Sequence, residues 1–247
     1  MKDRTALILA FAVVAAGCGS SDSVAPLTCG IPALKGAYGV QRNGQVGPGA
    51  RIAAVGVANF DGNGRLSGKE TLSLNGVFSP VTISGSYSLD ADCTGTESDV
   101  SGNVIANLAM VHGGDELFGE SLVPGSNVAF HYVRITGPCS NATLNGRYSF
   151  QRNGQNAAGA TLLATGTIVF DGQGNQTVRQ TIDRGGTFTT VDQVGFYLVN
   201  SDCTGTQSDN RDNTGVFSQL VIVHDADQVL GISQTPGNTI VVHYEKN

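Results

Sequence analysis

From residue 36 onward, apolar and polar residues alternate singly along much of the chain, and helical spacing of apolar positions is absent. Ile52-Ala54-Gly56-Ala58-Phe60 is one such stripe, and Ile83-Gly85-Tyr87-Leu89 is another. A period of two is the mark of a strand with one face buried. In the first half of the chain it predicts strands at about 36–42, 50–60, 65–74, 80–90, 94–100, 103–112, 115–122 and 127–135. The breaks between them are turn chemistry: Asn43-Gly44, Asp61-Gly62, Gly113-Gly114 and Pro124-Gly125. Consecutive hairpins give an up-and-down meander. Eight strands in about 108 residues can close on themselves and so leave no exposed edge.

The same pattern is written twice. "YGVQRNGQ" at Tyr38 returns as "YSFQRNGQ" at Tyr148, "FDGNG" at Phe60 as "FDGQG" at Phe170, and "DCTGT" at Asp92 as "DCTGT" at Asp202, always 110 residues on. After the cysteines the offset becomes 112, so the second copy carries two extra residues near "SDNRDN"; His112 then matches His224 and "FHY" at Phe130 matches "VHY" at Val242. The expected fold is therefore all-β: two tandem up-and-down antiparallel barrels of about eight strands each, at 29–136 and 139–247. "TGPCSN" at Thr136 leaves almost no linker between them.

The N-terminus differs in kind. Lys2 and Arg4 precede an apolar run from Thr5 to Ala16 that is too short to span a bilayer. Ala15-Ala16-Gly17-Cys18 resembles the lipobox of bacterial lipoprotein signals. That resemblance implies a signal peptide over 1–17, cleavage before Cys18, lipid on Cys18, and a flexible tether over 18–28. Gly19, where inner-membrane lipoproteins carry aspartate, implies the outer membrane as destination. The remaining cysteines fall as Cys29 and Cys93, then Cys139 and Cys203, each pair 64 apart. Four cysteines admit three pairings. A unit that once folded alone closes its own pair, so the duplication selects Cys29–Cys93 and Cys139–Cys203, which an oxidising envelope permits.

The first 17 residues carry +1 (Lys2 and Arg4 against Asp3), so of the chain's −6 the remainder carries −7. There is no basic run, which argues against nucleic acid as a partner. "CSNATLNGRYSFQRNGQ", "FDGQGN" and "GFYLVNSDCTGT" together resemble a domain recurrent in secreted proteins of soil-type bacteria, with the pattern Leu-x-Gly-x-Tyr, Phe-Asp-Gly-x-Gly, Gly-x-Tyr, Asp-Cys-Thr-Gly-Thr. The resemblance covers both copies and brings no activity with it. Its shape is similar to calycin-type and allene-oxide-cyclase-type barrels, a likeness of fold that transfers no catalytic residue.

Candidate chemistry is sparse. His112 and His224 each precede an aspartate by three residues, Asp115 and Asp227, and read as hairpin-end charge pairs. No histidine spacing suits a metal, no serine sits in Gly-x-Ser-x-Gly, and no free cysteine remains for nucleophilic work, so no catalytic residue, metal or cofactor is expected. Glu70 shares a strand face with Leu66 and Leu72 and is expected to line the barrel, with Gln180 as its counterpart. Glu97 becomes Gln207 and Glu116 becomes Gln228, exchanges that keep shape and remove charge. Acid–base work needs ionisation, so the two copies cannot share it there. On the outward face, Val194-Phe196-Leu198 is apolar where the first copy has Ser84-Ser86-Ser88, and Ala53-Val55-Val57 is a smaller apolar stripe in the first copy. These two stripes are expected to form a contact between the barrels. The functional expectation is a non-enzymatic binding or interaction module anchored to the membrane through its lipid. Its partner would be a small apolar ligand or another envelope protein. The competing expectations are a structural envelope protein without ligand and a barrel enzyme of cyclase or isomerase type.

Overall fold

The computed structural model describes residues 28–247. The expected signal peptide, Cys18 and nearly all of the expected tether lie outside the described residues. Strands β1 Lys35–Val46, β2 Ala50–Asp61, β3 Arg65–Leu74, β4 Val77–Leu89, β5 Thr94–Ser98, β6 Val104–Val111, β7 Glu116–Ser121 and β8 Ser126–Arg134 form one closed antiparallel barrel. Strands β9 Asn145–Gln155, β10 Thr161–Asp171, β11 Asn175–Arg184, β12 Thr187–Val199, β13 Thr204–Ser208, β14 Val216–Val223, β15 Gln228–Ser233 and β16 Thr239–Lys246 form a second. Each strand pairs with its sequence neighbours, and β1 closes on β8 as β9 closes on β16. Closure supplies every strand with two partners, which is how a chain with so few helix-forming patterns satisfies its backbone.

Each barrel has a sealed end and an open end. At the sealed end of the first, Phe60 lies edge-on to Tyr38, Tyr87 and Tyr132, with ring centroids 5.1, 5.0 and 5.5 Å away. Phe170 meets Tyr148 and Tyr197 in the same way at 5.4 and 5.0 Å. A short 3-10 turn plugs this end: Ile31–Ala33 in the first barrel and Asn141–Thr143 in the second, each followed by a fully buried leucine, Leu34 or Leu144. Tyr87 donates to the carbonyls of Ile31 and Leu34, and Tyr197 to those of Asn141 and Leu144, so each plug is bonded to the barrel wall. Disulfides Cys29–Cys93 and Cys139–Cys203 fix the plug residues to the β4–β5 and β12–β13 turns. Two intact disulfides mark a chain of an oxidising, extracytoplasmic compartment.

The barrels touch along one side. The outer face of β1 and β2 packs on the outer face of β14, β15 and β16, burying Ala53 and Val55 with Val221, Val223, Leu230, Ile232 and Val241; Val57 is partly covered at the rim. Gln41 donates from its amide to the carbonyls of Gly231 and Val242, 2.9 Å each, across the junction. Near the open ends the Gly237 amide donates to Gly76, and near the sealed ends Thr136 hydrogen-bonds Asp225. The barrels therefore lie side by side with both open ends pointing the same way.

The stripe Val194-Phe196-Leu198 does not take part, contrary to the sequence expectation. Val194 is 82% exposed and Leu198 46% exposed. Phe196 is instead covered by the guanidinium of Arg211, 4.9 Å from its ring centroid. Arg211 belongs to the loop that carries the second copy's two extra residues, so that insertion supplies the cover which the neighbouring barrel was expected to give. On the docking strands three outward positions became larger and apolar in the second copy: Ala109, Glu120 and Ala129 of the first correspond to Val221, Ile232 and Val241.

Candidate functional site

Alternation along β1 puts Tyr38, Val40 and Arg42 on the inner face, and along β9 it puts Tyr148, Phe150 and Arg152 there. Both arginines come from the repeated "QRNGQ", and each enters the barrel midway between its sealed and open ends. What surrounds them differs, and the difference is the most informative feature of the molecule.

In the first barrel the interior is charged, with buried apolar side chains packed around the charges. Arg42 Nε lies 3.2 Å from Glu70 Oε2, and Arg42 Nη2 lies 3.9 Å from Glu97 Oε1. The closer contact is an ion pair without hydrogen-bond alignment, since neither atom gains a well-directed partner. Tyr132 donates to Glu97 Oε2 at 2.9 Å, and the Arg42 guanidinium stacks 4.8 Å over the Phe130 ring. Leu66 and Ile83, 2% and 7% exposed, pack around this group. Burial raises the Glu70 carboxyl above its ordinary range; Arg42 opposes the shift and the like charge of Glu97 adds to it. A register shift between Glu97 and Ser98, repeated between Gln207 and Ser208, bends each short fifth strand beside these residues.

In the second barrel the same positions are neutral and the interior is open. Glu70, Glu97, Leu66 and Ile83 are replaced by Gln180, Gln207, Gln176 and Gln193. Gln207 donates to Gln176 and Gln180 donates to Gln193, 2.8 Å each, while Tyr244 donates to Gln207 at 3.0 Å. These residues line a cavity of about 350 Å³ together with Phe150, Leu162, Ile168, Val178, Ile182 and Ile240. Arg152 also lines it and makes no ion pair among the described residues; it reaches Gln180 Oε1 at 3.5 Å, lies 5.9 Å from the Phe150 ring centroid and neighbours the Tyr244 hydroxyl. Its Nε is buried and unpartnered, as is the hydroxyl of Ser218 next to Tyr244. Burial raises the Tyr244 hydroxyl above its usual 10, and Arg152 partly offsets this.

The sequence-predicted side chains fall into place unevenly. Glu70 and Gln180 both face inward, 8% and 3% exposed. The arginines that give those positions their meaning are not among the sequence-predicted side chains, although both sit in the repeated "QRNGQ" and counting by two from Tyr38 and Tyr148 reaches them. His112 does not face Asp115. The backbone of His112 and Gly113 is left-handed, φ 51° and 70°, which turns the imidazole toward Glu116, 3.5 Å away, and leaves Asp115 to pair with Arg134 at 2.9 Å. His131 and His243 point outward, as the inward tyrosines require, and stack on each other across the junction, ring centroids 6.2 Å apart. The "DGNG" carboxylate is occupied by its own turn: Asp61 accepts from the amides of Asn63 and Arg65 at 2.7 and 2.9 Å. Among the described residues no three His, Cys, Asp or Glu side chains converge as a metal site would need. A wider depression of about 620 Å³, with Phe118 in its wall, lies open on the outside of the first barrel.

No protein-family model matches the chain, and no curated protein matches it. Solved structures resemble it distantly. A protein of unknown function from the DUF3598 family of Nostoc punctiforme is 11% identical over 88% of this chain and 98% of its own, with a TM-score of 0.28. Isotype 1 transferrin binding protein B from serogroup B Neisseria meningitidis is 11% identical over 80% of this chain and 52% of its own, TM-score 0.32. Kievitone hydratase from Nectria haematococca is 8% identical over 87% of this chain and 90% of its own, TM-score 0.27. Similarities of this size carry no argument about function, so the role of the chain rests on its own residues.

Proposed function

We propose that this protein is a ligand-binding module of the bacterial cell envelope, held to the outer membrane by lipid on Cys18, in which the first barrel is a filled support and the second holds a small molecule. One observation carries the reading: a duplicated fold keeps its packing in one copy and gives it up in the other. Exchanging Leu66 and Ile83 for Gln176 and Gln193 removes apolar filling at two inward positions, and the second barrel has a cavity there. A cavity costs stability, and so do buried amides that lose bonds to water. A bound molecule would offset both. Catalysis by Glu70 and Glu97 is the weaker reading, since both carboxylates are engaged with Arg42 or Tyr132 and the second copy replaces both by glutamine.

The test is native mass spectrometry of the full-length protein extracted from its own host. The expected spectrum shows a mature chain beginning at lipid-modified Cys18 and one retained small molecule per chain, lost when the protein is unfolded. A chain that carries no retained mass, with the cavity protected only by solvent, would favour the purely structural role. A mature N-terminus elsewhere would remove the lipid anchor from the reading.

A further inference from the structure

Of everything in the molecule that could recognise a partner, Arg152 is the group whose surroundings differ most from those of its own duplicate. Arg42 has two carboxylates within 4 Å, and Arg152 has none. The duplication kept the cation and removed both counter-charges, Glu70 to Gln180 and Glu97 to Gln207, and the barrel that lost them is the one with the cavity. The Nε of both arginines lacks an aligned hydrogen-bond partner, but only Arg42 has carboxylates beside it, and a buried guanidinium without a counter-charge is unfavourable until an anion completes it. At the mouth the change runs the same way: Leu74 of the first copy corresponds to Arg184, which also lines the cavity. Asp209 lines it too, but its counterpart Asp99 is present in the first copy, so it is no part of the change, and it does not reach Arg152. The lining groups thus sum to one excess positive charge.

Resting on the binding role proposed above, we infer that the second barrel takes a small monocarboxylic acid with an apolar body, its carboxylate on Arg152. The first barrel shows the arrangement with an internal group. The Glu70 carboxylate, 3.2 Å from Arg42 Nε, is the internal counterpart of the ligand carboxylate; beside Arg152 its position is held by the neutral Gln180 amide, so the ligand carboxylate meets the guanidinium from the cavity. Guanidinium and carboxylate match in shape as well as charge, and the pairing is strongest out of water. The amides of Gln180 and Gln207 and the hydroxyl of Tyr244, which also line the cavity, can reorient to donate to the same group. Phe150, Leu162, Ile168, Val178, Ile182 and Ile240 then surround the remainder of the molecule. A cavity of about 350 Å³ suits a short aliphatic or single-ring acid and excludes a polymer.

The experiment uses isothermal titration of the full chain with hexanoate and 3-phenylpropanoate, each against its uncharged amide. The acids are expected to bind at least about 10-fold more tightly than the amides. Gln180→Glu rebuilds the first barrel's ion pair on Arg152 and is expected to lower acid affinity by about 10-fold or more while the melting temperature holds or rises. Arg152→Gln, which leaves a neutral interior, is expected to abolish the preference for acid over amide. Equal binding of acid and amide, acid binding unaffected by Gln180→Glu in a folded variant, or no binding of either acid overturns the inference. If the mass spectrum nonetheless shows a retained neutral molecule, the charge assignment fails and the binding role stands. If no molecule is retained and neither acid nor amide binds, both fail.

Discussion

Glu70 shows how one side chain can face the same way in two barrels and do different work. Its carboxylate neutralises Arg42 in the first barrel, yet burial raises its pKa above the ordinary 4.5. An acid whose pKa is higher folded than unfolded stabilises the fold most below the unfolded value, and that stability is lost as pH rises through the folded one. Glu70→Gln imports the residue the second copy already carries at Gln180. The variant should therefore match the wild type in urea midpoint near pH 4 and exceed it near pH 7.5, where the wild-type carboxylate must ionise in the interior. Arg42 keeps Glu97 as a partner in the variant, so no cation is stranded. A variant less stable than wild type at pH 7.5 would mean that the Arg42 attraction outweighs the cost of burial.

Among the elements, the plugs are where short-range and long-range structure meet. A 3-10 turn of three residues has no stability of its own. The Ile31–Ala33 turn is held by the Tyr87 hydroxyl above it and by the Cys29–Cys93 bridge beside it. Closing a loop of 64 residues removes enough unfolded-state entropy to be worth about 4 kcal/mol in the chain-entropy model. Replacing both Cys29 and Cys93 by serine should lower unfolding free energy by about 2–4 kcal/mol, read by urea titration, and should do so with far-UV circular dichroism intact, because the strand ladder does not depend on the bridge. Loss of strand signal at neutral pH without urea would show that the bridge is needed for closure itself.

For the molecule as a whole, the side-by-side packing of the barrels requires one small residue at the junction. Gly39 lies on the outer face of β1, where a β-carbon would stand 2.4 Å from Val223 Cγ1 and 2.9 Å from Val221 Cγ1. Its duplicate, Ser149, is on an outer face that no barrel covers. Gly39→Ser should therefore wedge the junction and lower the unfolding midpoint by the equivalent of about 1–3 kcal/mol, measured by scanning calorimetry, with the two barrels melting less cooperatively. An unchanged transition would show that the junction yields without cost. By contrast Phe196, covered by Arg211 of its own barrel, should leave the junction unaffected when replaced.

What the sequence determined by itself is whatever depends on periodicity and on comparing the two copies. Alternation specifies the strands because a one-residue slip would turn Ala54, Ala58 and Phe60 from the core to solvent. Turn residues separate the strands, and the absence of any helical pattern leaves closure as the way to satisfy the edges. The inward position of Glu70 and Gln180 followed from the same count. Tertiary structure decided what met across space. Arg42 and Glu70 lie on non-adjacent strands, β1 and β3, so no local pattern shows that Arg42 is neutralised while Arg152 is not; only the curvature of a closed barrel brings them together. The docking face was likewise undetermined, because several outward stripes were apolar. Val194, Phe196 and Leu198 read as the docking stripe, but the choice fell to Val221, Leu230 and Ile232, on strands whose surface fits against Gly39, the one outward-facing position of β1 without a side chain.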